Sequence, residues 1–411
     1  DSKQYNDPED RKSLDSINKD NVSITQTGFI TTLDAKKERA VVWKLDLHLL
    51  PLLAIMYLFN SLDKSNMGNA KTAGLTTDLG LHGHQYNLIL SIFFVPYVLT
   101  APFLAALGKK YGPSRVLPCM MFGFGTCTLM VVVVQNFGGL MAIRWFLGMC
   151  ESAFFPLVIY YQTIESTLGP ICKACVLTHH RFYRRGELAR RLAIFYAAQS
   201  IASAFSGLLS FGVFQIEGGA LTNWRYLFVI EGSATIIVSF FAFWYLPLSA
   251  ADAHFLTPEE REIAVHRIQT DSSAVVNEEF KLGRAMTIFK HPTTWMFLAI
   301  EICLGVPLQS VSLFLPQIVK RLGYGTIKTN LYTVAPNITG AVMLLVLGFS
   351  SDLTRWRFPF VALGFFFTFC GFVIYSAIDV TSSITVAYFA TFMMTWGTSA
   401  PSVLLGESTS F

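Results

Sequence analysis

Between Leu45 and Val403 the chain alternates long apolar runs with short polar intervals, and most of the runs hold about 18–23 residues. A helix of that length spans the ~30 Å hydrocarbon core of a bilayer. The pattern predicts ten membrane helices: Leu45–Leu62, Tyr86–Leu107, Val116–Val134, Leu140–Thr163, Arg191–Phe214, Tyr226–Leu246, Thr293–Leu315, Tyr332–Ser350, Pro359–Ala377 and Ile384–Leu404. Residues 1–44 are mostly polar and lack the apolar core of a cleavable signal peptide, so they read as a disordered tail. The longest interval, 247–292, separates six predicted spans (45–246) from four (293–411). Within it, Thr257-Pro258-Glu259-Glu260 has an N-cap, a proline at the first helical position and acids in the first turn, which predicts an amphipathic helix.

Composition agrees with a multi-pass membrane protein. The chain is 53% hydrophobic and 14% charged, against roughly 25% charged residues in soluble domains. A net charge of +4 with no basic, aromatic-interleaved stripe gives no reason to expect nucleic acid as a partner. Most of the seven cysteines lie in apolar runs, where they read as packing residues and not as a disulfide framework.

Loop charge predicts orientation. The N-terminal tail and the loops after spans 2, 4, 6 and 8 carry 24 Lys and Arg, and the other intervals carry six. The positive-inside rule then puts the N-terminus in the cytoplasm, with Lys320 and Arg321 as a small exception on the other side.

Candidate chemistry lies in the polar groups inside the apolar runs. A charge at mid-membrane costs at least ~2.5–3.5 kcal/mol on insertion scales, so Arg144 requires a partner or a wet cavity. Glu151 follows two helical turns later on the same face, a spacing that suits a carboxylate–guanidinium pair. Asp63 and Lys64 close the first span beside Asn60, as end charges or as cavity-facing groups. Glu231 and Glu301 lie within spans, Gln309 falls near the face of Glu301, and Asn337 follows Pro336, where a broken helix frees a carbonyl. Tyr57, Tyr97 and Tyr160 offer hydroxyls to a cavity. No nucleophile–base pair or phosphate loop is present, so an enzyme is not expected, and no cofactor is implied.

Two short basic loops resemble each other: Ala105-Ala-Leu-Gly108-Lys109-Lys110-Tyr111-Gly112-Pro113-Ser114-Arg115 and Gly348-Phe-Ser-Ser-Asp352-Leu-Thr-Arg355. Each follows the second helix of a half, and such internal symmetry is typical of transporters built from repeats. Here the chain resembles the major facilitator superfamily, whose loop after helix 2 reads Gly-x-x-x-Asp-(Arg/Lys)-x-Gly-(Arg/Lys). The second copy keeps Gly348 and Asp352. The first keeps Lys110 and Gly112 but has Ala105 and Lys109 where the family has Gly and Asp. Leu62-Asp63-Lys64-Ser65-Asn66, Arg144-Trp-Phe-Leu-Gly148-Met-Cys-Glu151, Asn223-Trp-Arg-Tyr and Ser312-Leu-Phe-Leu-Pro316 narrow the likeness to the fungal anion:cation symporters of allantoate-permease type.

The resemblance implies an all-α fold of two pseudo-symmetric six-helix halves, of which about ten helices are present, so that the second half is incomplete and the chain is expected to be truncated. It implies proton-coupled uptake of a small organic anion, such as allantoate, nicotinate or pantothenate, by a monomer in the plasma membrane. The family's helix-4 Arg-x-x-x-Gly falls on Arg144 and Gly148, and in relatives that arginine is linked to proton coupling. Glu151 or Asp63 would carry the proton. The alternative is a nutrient sensor that does not transport, or an inactive truncated transporter. Residues 164–181 interrupt the family pattern. Cys172, Cys175, His179 and His180 invite a zinc reading, against which the adjacency of the two histidines counts; a plain cytoplasmic insertion is one alternative, and a translated unspliced intron, whose composition would not need to suit the site, is favoured.

Overall fold

The computed structural model describes residues 35–163, 185–216, 218–248, 252–272, 291–354, 358–379 and 383–408. Every regular element among them is a helix. In chain order these are α1 (Ala35–Thr72), α2 (Leu75–Asp78), α3 (Gln85–Tyr111), α4 (Pro113–Met130), α5 (Phe137–Glu151), α6 (Phe154–Thr163), α7 (Arg185–Val213), α8 (Asn223–Tyr245), α9 (Pro258–Ser272), α10 (Pro292–Lys320), α11 (Thr326–Thr354), α12 (Phe358–Ala377) and α13 (Ile384–Ser408). Residues 164–181, with their cysteines and histidines, lie outside the described part.

Among the described residues eight helical segments, α5 and α6 counted together as one, are long and apolar enough to cross a membrane, against ten predicted. The other two predicted spans fall on α7, whose apolar part is the shorter Ala198–Val213, and on α13. The chain is an integral, multi-pass membrane protein.

Differences from the predicted spans have local causes. The first helix does not stop at Leu62 but runs to Thr72, because most of residues 63–72 are polar groups enclosed by the bundle and not headgroup-level ends. The fourth predicted span is two helices, α5 and α6, broken at Ser152–Ala153. Pro156 has no N–H for the Ser152 carbonyl, which frees that turn to bend. Pro336 likewise frees the Tyr332 carbonyl, yet α11 runs on, because the Tyr388 hydroxyl of α13 donates to that oxygen at 2.9 Å.

The largest buried cluster joins α1, α3, α4, α5, α6 and α8 around Leu49, Leu53, Met56, Phe124 and Phe154. Its base is closed by the predicted amphipathic helix, α9. Thr257 Oγ1 accepts from the Glu260 N–H and Glu260 accepts from the Thr257 N–H, a reciprocal capping box. The Glu260 carboxylate pairs with Lys44 of α1, and Phe255 stacks on His48 at 4.4 Å. Nearby, Arg191 forks onto Asp46 at 2.8 and 2.9 Å, joining the starts of α1 and α7.

The helices on either side of the long connection meet at the other end of α1. There Lys71 Nζ donates to Gln317 Oε1 at 2.8 Å and Lys320 Nζ donates to the Thr72 carbonyl at 2.6 Å. Gly68 permits the contact: a Cβ there would sit 2.8 Å from the Leu313 carbonyl oxygen. On α7, Gly207 does the same against the Asn330 carbonyl of α11.

Candidate functional site

The far half of α1 reads Asn60-Ser-Leu-Asp63-Lys64-Ser65-Asn66-Met-Gly68-Asn69, a polar stretch within a membrane helix. Such a stretch is tolerated where it faces protein or a wet cavity. Asp63, Asn66 and Asn69 are buried accordingly, and so are Arg144, Glu151 and Glu231 from α5 and α8.

The geometry re-pairs these residues. Arg144 does not meet Glu151 on its own helix. Its Nη1 lies 3.5 Å from Asp63 Oδ2, and Thr128 of α4 donates to the other Asp63 oxygen at 3.1 Å. Glu151 takes Lys64 at 3.3 Å. Glu231 forms no ion pair among the described residues and instead accepts from the Asn66 carboxamide at 2.5 Å. Two cations and three carboxylates therefore lie together across α1, α5 and α8. The predicted pairing failed because seven residues along one helix bring two side chains to one face but leave them two turns apart, while the facing α1 supplies closer partners.

Lys64 differs from the other four. Its side chain keeps 20% of its exposure, against 4% for Arg144. Its ammonium sits 5.2 Å from the ring centre of Tyr97 and 5.9 Å from that of Phe93, within cation–π range. It also donates to Asn60 Oδ1 at 3.4 Å. Tyr57, one of the predicted hydroxyls, donates to Gln199 of α7 at 3.1 Å. Gln199 lines a narrow cleft between α7 on one side and α10, α11 and α13 on the other, with a free volume of about 40 Å³. A smaller space of about 20 Å³ shares Ser203, Ser312 and Asn337 with it and reaches Ser65 and Asn69 of α1.

The remaining candidates are dispersed. Asn337 lines the cleft, with its Nδ2 donating to the Thr333 carbonyl at 2.9 Å. Gln309 is half-buried, and Glu301 is exposed on α10, so the structure does not bring Glu301 to the charge cluster. Of the loop motifs, Gly112 adopts φ +88° to turn α3 into α4, a backbone state that favours glycine, and Lys110 and Arg115 beside it are exposed. Gly348 lies within α11 with open space around it. Asp352 is in the last turn of that helix, and Arg355 lies outside the described residues.

Sequence reasoning missed the polar face of α7. Gln199, Ser203, Ser206 and Ser210 recur at spacings of four and three, which put them on one helical stripe. Ser206 bonds both Asn66 and Asn69, at 2.5 and 2.7 Å, and so ties that stripe to the charged stretch of α1. The spacing was a legible signal.

A family profile described as Major Facilitator Superfamily matches residues 53–163 and 177–410. An uncharacterised transporter of Schizosaccharomyces pombe is 48% identical over 372 residues, which are 90% of this chain and 70% of that protein. The high-affinity nicotinic acid transporter of Saccharomyces cerevisiae is 30% identical, covering 79% of this chain and 57% of that one. A solved bacterial homologue of the human lysosomal transporter Spinster superposes with TM-score 0.61 at 15% identity, covering 88% of this chain and 73% of its own, which is a likeness of fold. Arg144, Gly148 and the polar far half of α1 thus sit in a profile match that takes in most of the helices, and the chain belongs to the major facilitator superfamily.

Proposed function

We propose that this chain is a proton-coupled symporter that takes up a small organic monoanion by alternating access, with its N-terminus in the cytoplasm and in the manner of the allantoate-permease type. The observation that carries the reading is the buried group of two cations and three carboxylates. Fully ionised, it would hold one uncompensated negative charge in a low-dielectric interior, which is costly. A proton on one acid removes that cost. Glu231 is the acid with an amide in place of a cation beside it, so it is the proton carrier of this proposal, ahead of Glu151 or Asp63.

Arg144, fixed on Asp63 and almost wholly buried, holds that acid in place. Lys64 receives the substrate carboxylate, because it alone of the five keeps part of its surface open and is flanked by aromatic rings. An arriving carboxylate competes with Glu151 for Lys64, and that exchange links the substrate to the proton. The nicotinic acid transporter among the relatives favours a monocarboxylate.

The test is uptake of labelled nicotinate, pantothenate and allantoate into vesicles holding the full chain, with the outside more acidic. Accumulation of at least one anion above equilibrium, collapsed by a protonophore, is expected. Lys64→Gln and Arg144→Ala should each lower it more than tenfold, and Glu231→Gln should abolish its dependence on the proton gradient. Uptake that ignores the gradient, or that survives all three substitutions, overturns the proposal. Saturable binding of these anions with no flux favours the nutrient-sensor reading.

A further inference from the structure

The far end of α1 borders a cavity that the charge cluster does not use. It has a free volume of about 600 Å³. Ala73 lines it just past α1, Phe214 and Asn223 line it from the turn between α7 and α8, and Gly325, Thr326, Ile327 and Lys328 line it from the start of α11. The cavity thus bridges the helices before and after the long connection. Its wall is also part of their contact, since the Thr326 hydroxyl donates at 3.2 Å to the Thr72 carbonyl that takes Lys320. Lys64 lies roughly 12 Å back along the helix from Thr72. The close approach of Gly68 to Leu313 stands between the two.

Lys328 is the ionisable side chain of that wall, and it is exposed. It makes no ion pair among the described residues. It stands in the first turn of α11, where the helix macrodipole disfavours a cation, so the helix itself gives no reason for its charge. Asn223 donates one Nδ2 proton to Phe214 O at 3.2 Å and keeps a second. Phe214 and Ile327 supply apolar surface. More cations stand at the same end. Lys71 and Lys320 donate to neutral acceptors, and Arg321 follows Lys320. With Lys328 they outnumber Asp78 and Asp379, the described acids there, and Asp78 is engaged by the Trp224 indole at 2.7 Å. A mouth with a surplus of one sign concentrates small ions of the other.

We propose that this cavity is an outer docking site for a small organic anion, occupied before the contact between the two sets of helices opens. Lys328 and the spare Asn223 proton take the carboxylate, and Phe214 and Ile327 take the apolar body. The inference rests on the proposed uptake of an organic anion with this end of α1 outward. An exposed lysine holds its partner weakly, which suits a site that must pass the anion on to Lys64.

The experiment measures equilibrium binding of labelled nicotinate, pantothenate and allantoate to the full chain as wild type, Lys64→Gln, Lys328→Gln and the double variant. Lys64→Gln should keep a weak saturable site for at least one anion. That site should weaken about fivefold in the double variant, the upper worth of an exposed ion pair. Lys328→Arg should preserve it. It should also weaken toward 1 M salt, where the screening length falls to ~3 Å. In uptake, Lys328→Gln should raise KM several-fold at low salt, and the difference should close at high salt. Loss of all binding in Lys64→Gln, or equal binding in the double variant, overturns the docking site and leaves the proposed symport standing. A site that depends on Lys328 in a protein with no flux overturns the symport and leaves the docking site. Failure of all three anions to bind any form overturns both. Should Lys64→Gln fail to fold, KM decides: a low-salt value unchanged in Lys328→Gln overturns the inference.

Discussion

At the scale of single residues, the protein's chemistry depends on who pairs with whom inside the membrane. Breaking a buried ion pair strands the remaining charge, and the loss runs to about 3–5 kcal/mol. Asp63→Asn should therefore destabilise the protein by that order, seen as a lower unfolding temperature in detergent. Adding Arg144→Gln to it should recover part of the loss, since the double variant leaves no unpaired charge. If the two losses simply add, Arg144 and Asp63 are not coupled and the 3.5 Å contact contributes little. Lys64→Gln should cost less stability than Asp63→Asn, because its ammonium is partly solvated. A small residue matters as much nearby: a Cβ at Gly148 would fall 2.2 Å from the Phe93 carbonyl oxygen, so Gly148→Val should force α3 and α5 apart and displace Phe93 from Lys64.

At the scale of elements, α9 shows how a loop helix is attached to a membrane bundle. Its capping box fixes where the helix starts, and the Glu260–Lys44 pair and the stack of Phe255 on His48 fix where it docks. The hydrogen bond from Lys44, with the Thr257 amide adding to it, holds the Glu260 carboxyl below its ordinary value of 4.5. A carboxylate lowered in the folded state stabilises fully above its ordinary pKa and stops doing so as pH falls through the lowered one. The docking should thus be intact at neutral pH and weaken only below about pH 4.5. Glu260 is near the surface, so its pair with Lys44 is worth only ~0.2–1 kcal/mol. Protease cleavage of the connection after α9 should rise on acidification in the native protein, and Glu260→Gln should raise it at neutral pH and flatten the dependence. An identical pH profile in that variant would assign the effect to other groups.

At the scale of the whole molecule, the helices before and after the long connection close on each other at the far end of α1. They do so through Gly68 against Leu313, Thr72 against Lys320 and Asn330, and Gly207 against Asn330. The glycines allow close backbone approach, and the hydrogen bonds to Thr72 run from ammonium and amide groups to neutral acceptors. Parting them exposes donors that water can satisfy and breaks no ion pair among the described residues, which suits the proposed alternating access. Alternating access predicts that it does open. Thr72→Cys with Asn330→Cys places two short side chains where the native Oγ1 and Nδ2 are 3.3 Å apart. Oxidative cross-linking of that pair should stop transport, and reduction should restore it. Full transport by the cross-linked protein would show that this end need not separate. Replacing Gly68 with leucine should hold the end apart and lower the yield of the cross-link.

The apolar runs sufficed to determine a multi-pass helical protein, since each run satisfies its own backbone within one helix and needs no knowledge of its neighbours. Arg144, Asp63, Lys64, Glu151 and Glu231 were legible for a related reason: a charge inside an apolar run stands out against its own flanks. The capped helix at Pro258 was equally local. Partnership was not legible. Glu151 takes Lys64 from 87 positions earlier and Glu231 takes Asn66 from 165, distances along the chain that carry no periodic signal. The true extent of the first helix was hidden too, because Asp63 to Thr72 look like a solvated end until neighbouring helices enclose them. The lining of the cleft depends on which helices face each other across the gap. Those are facts of packing, and only the tertiary structure decides them.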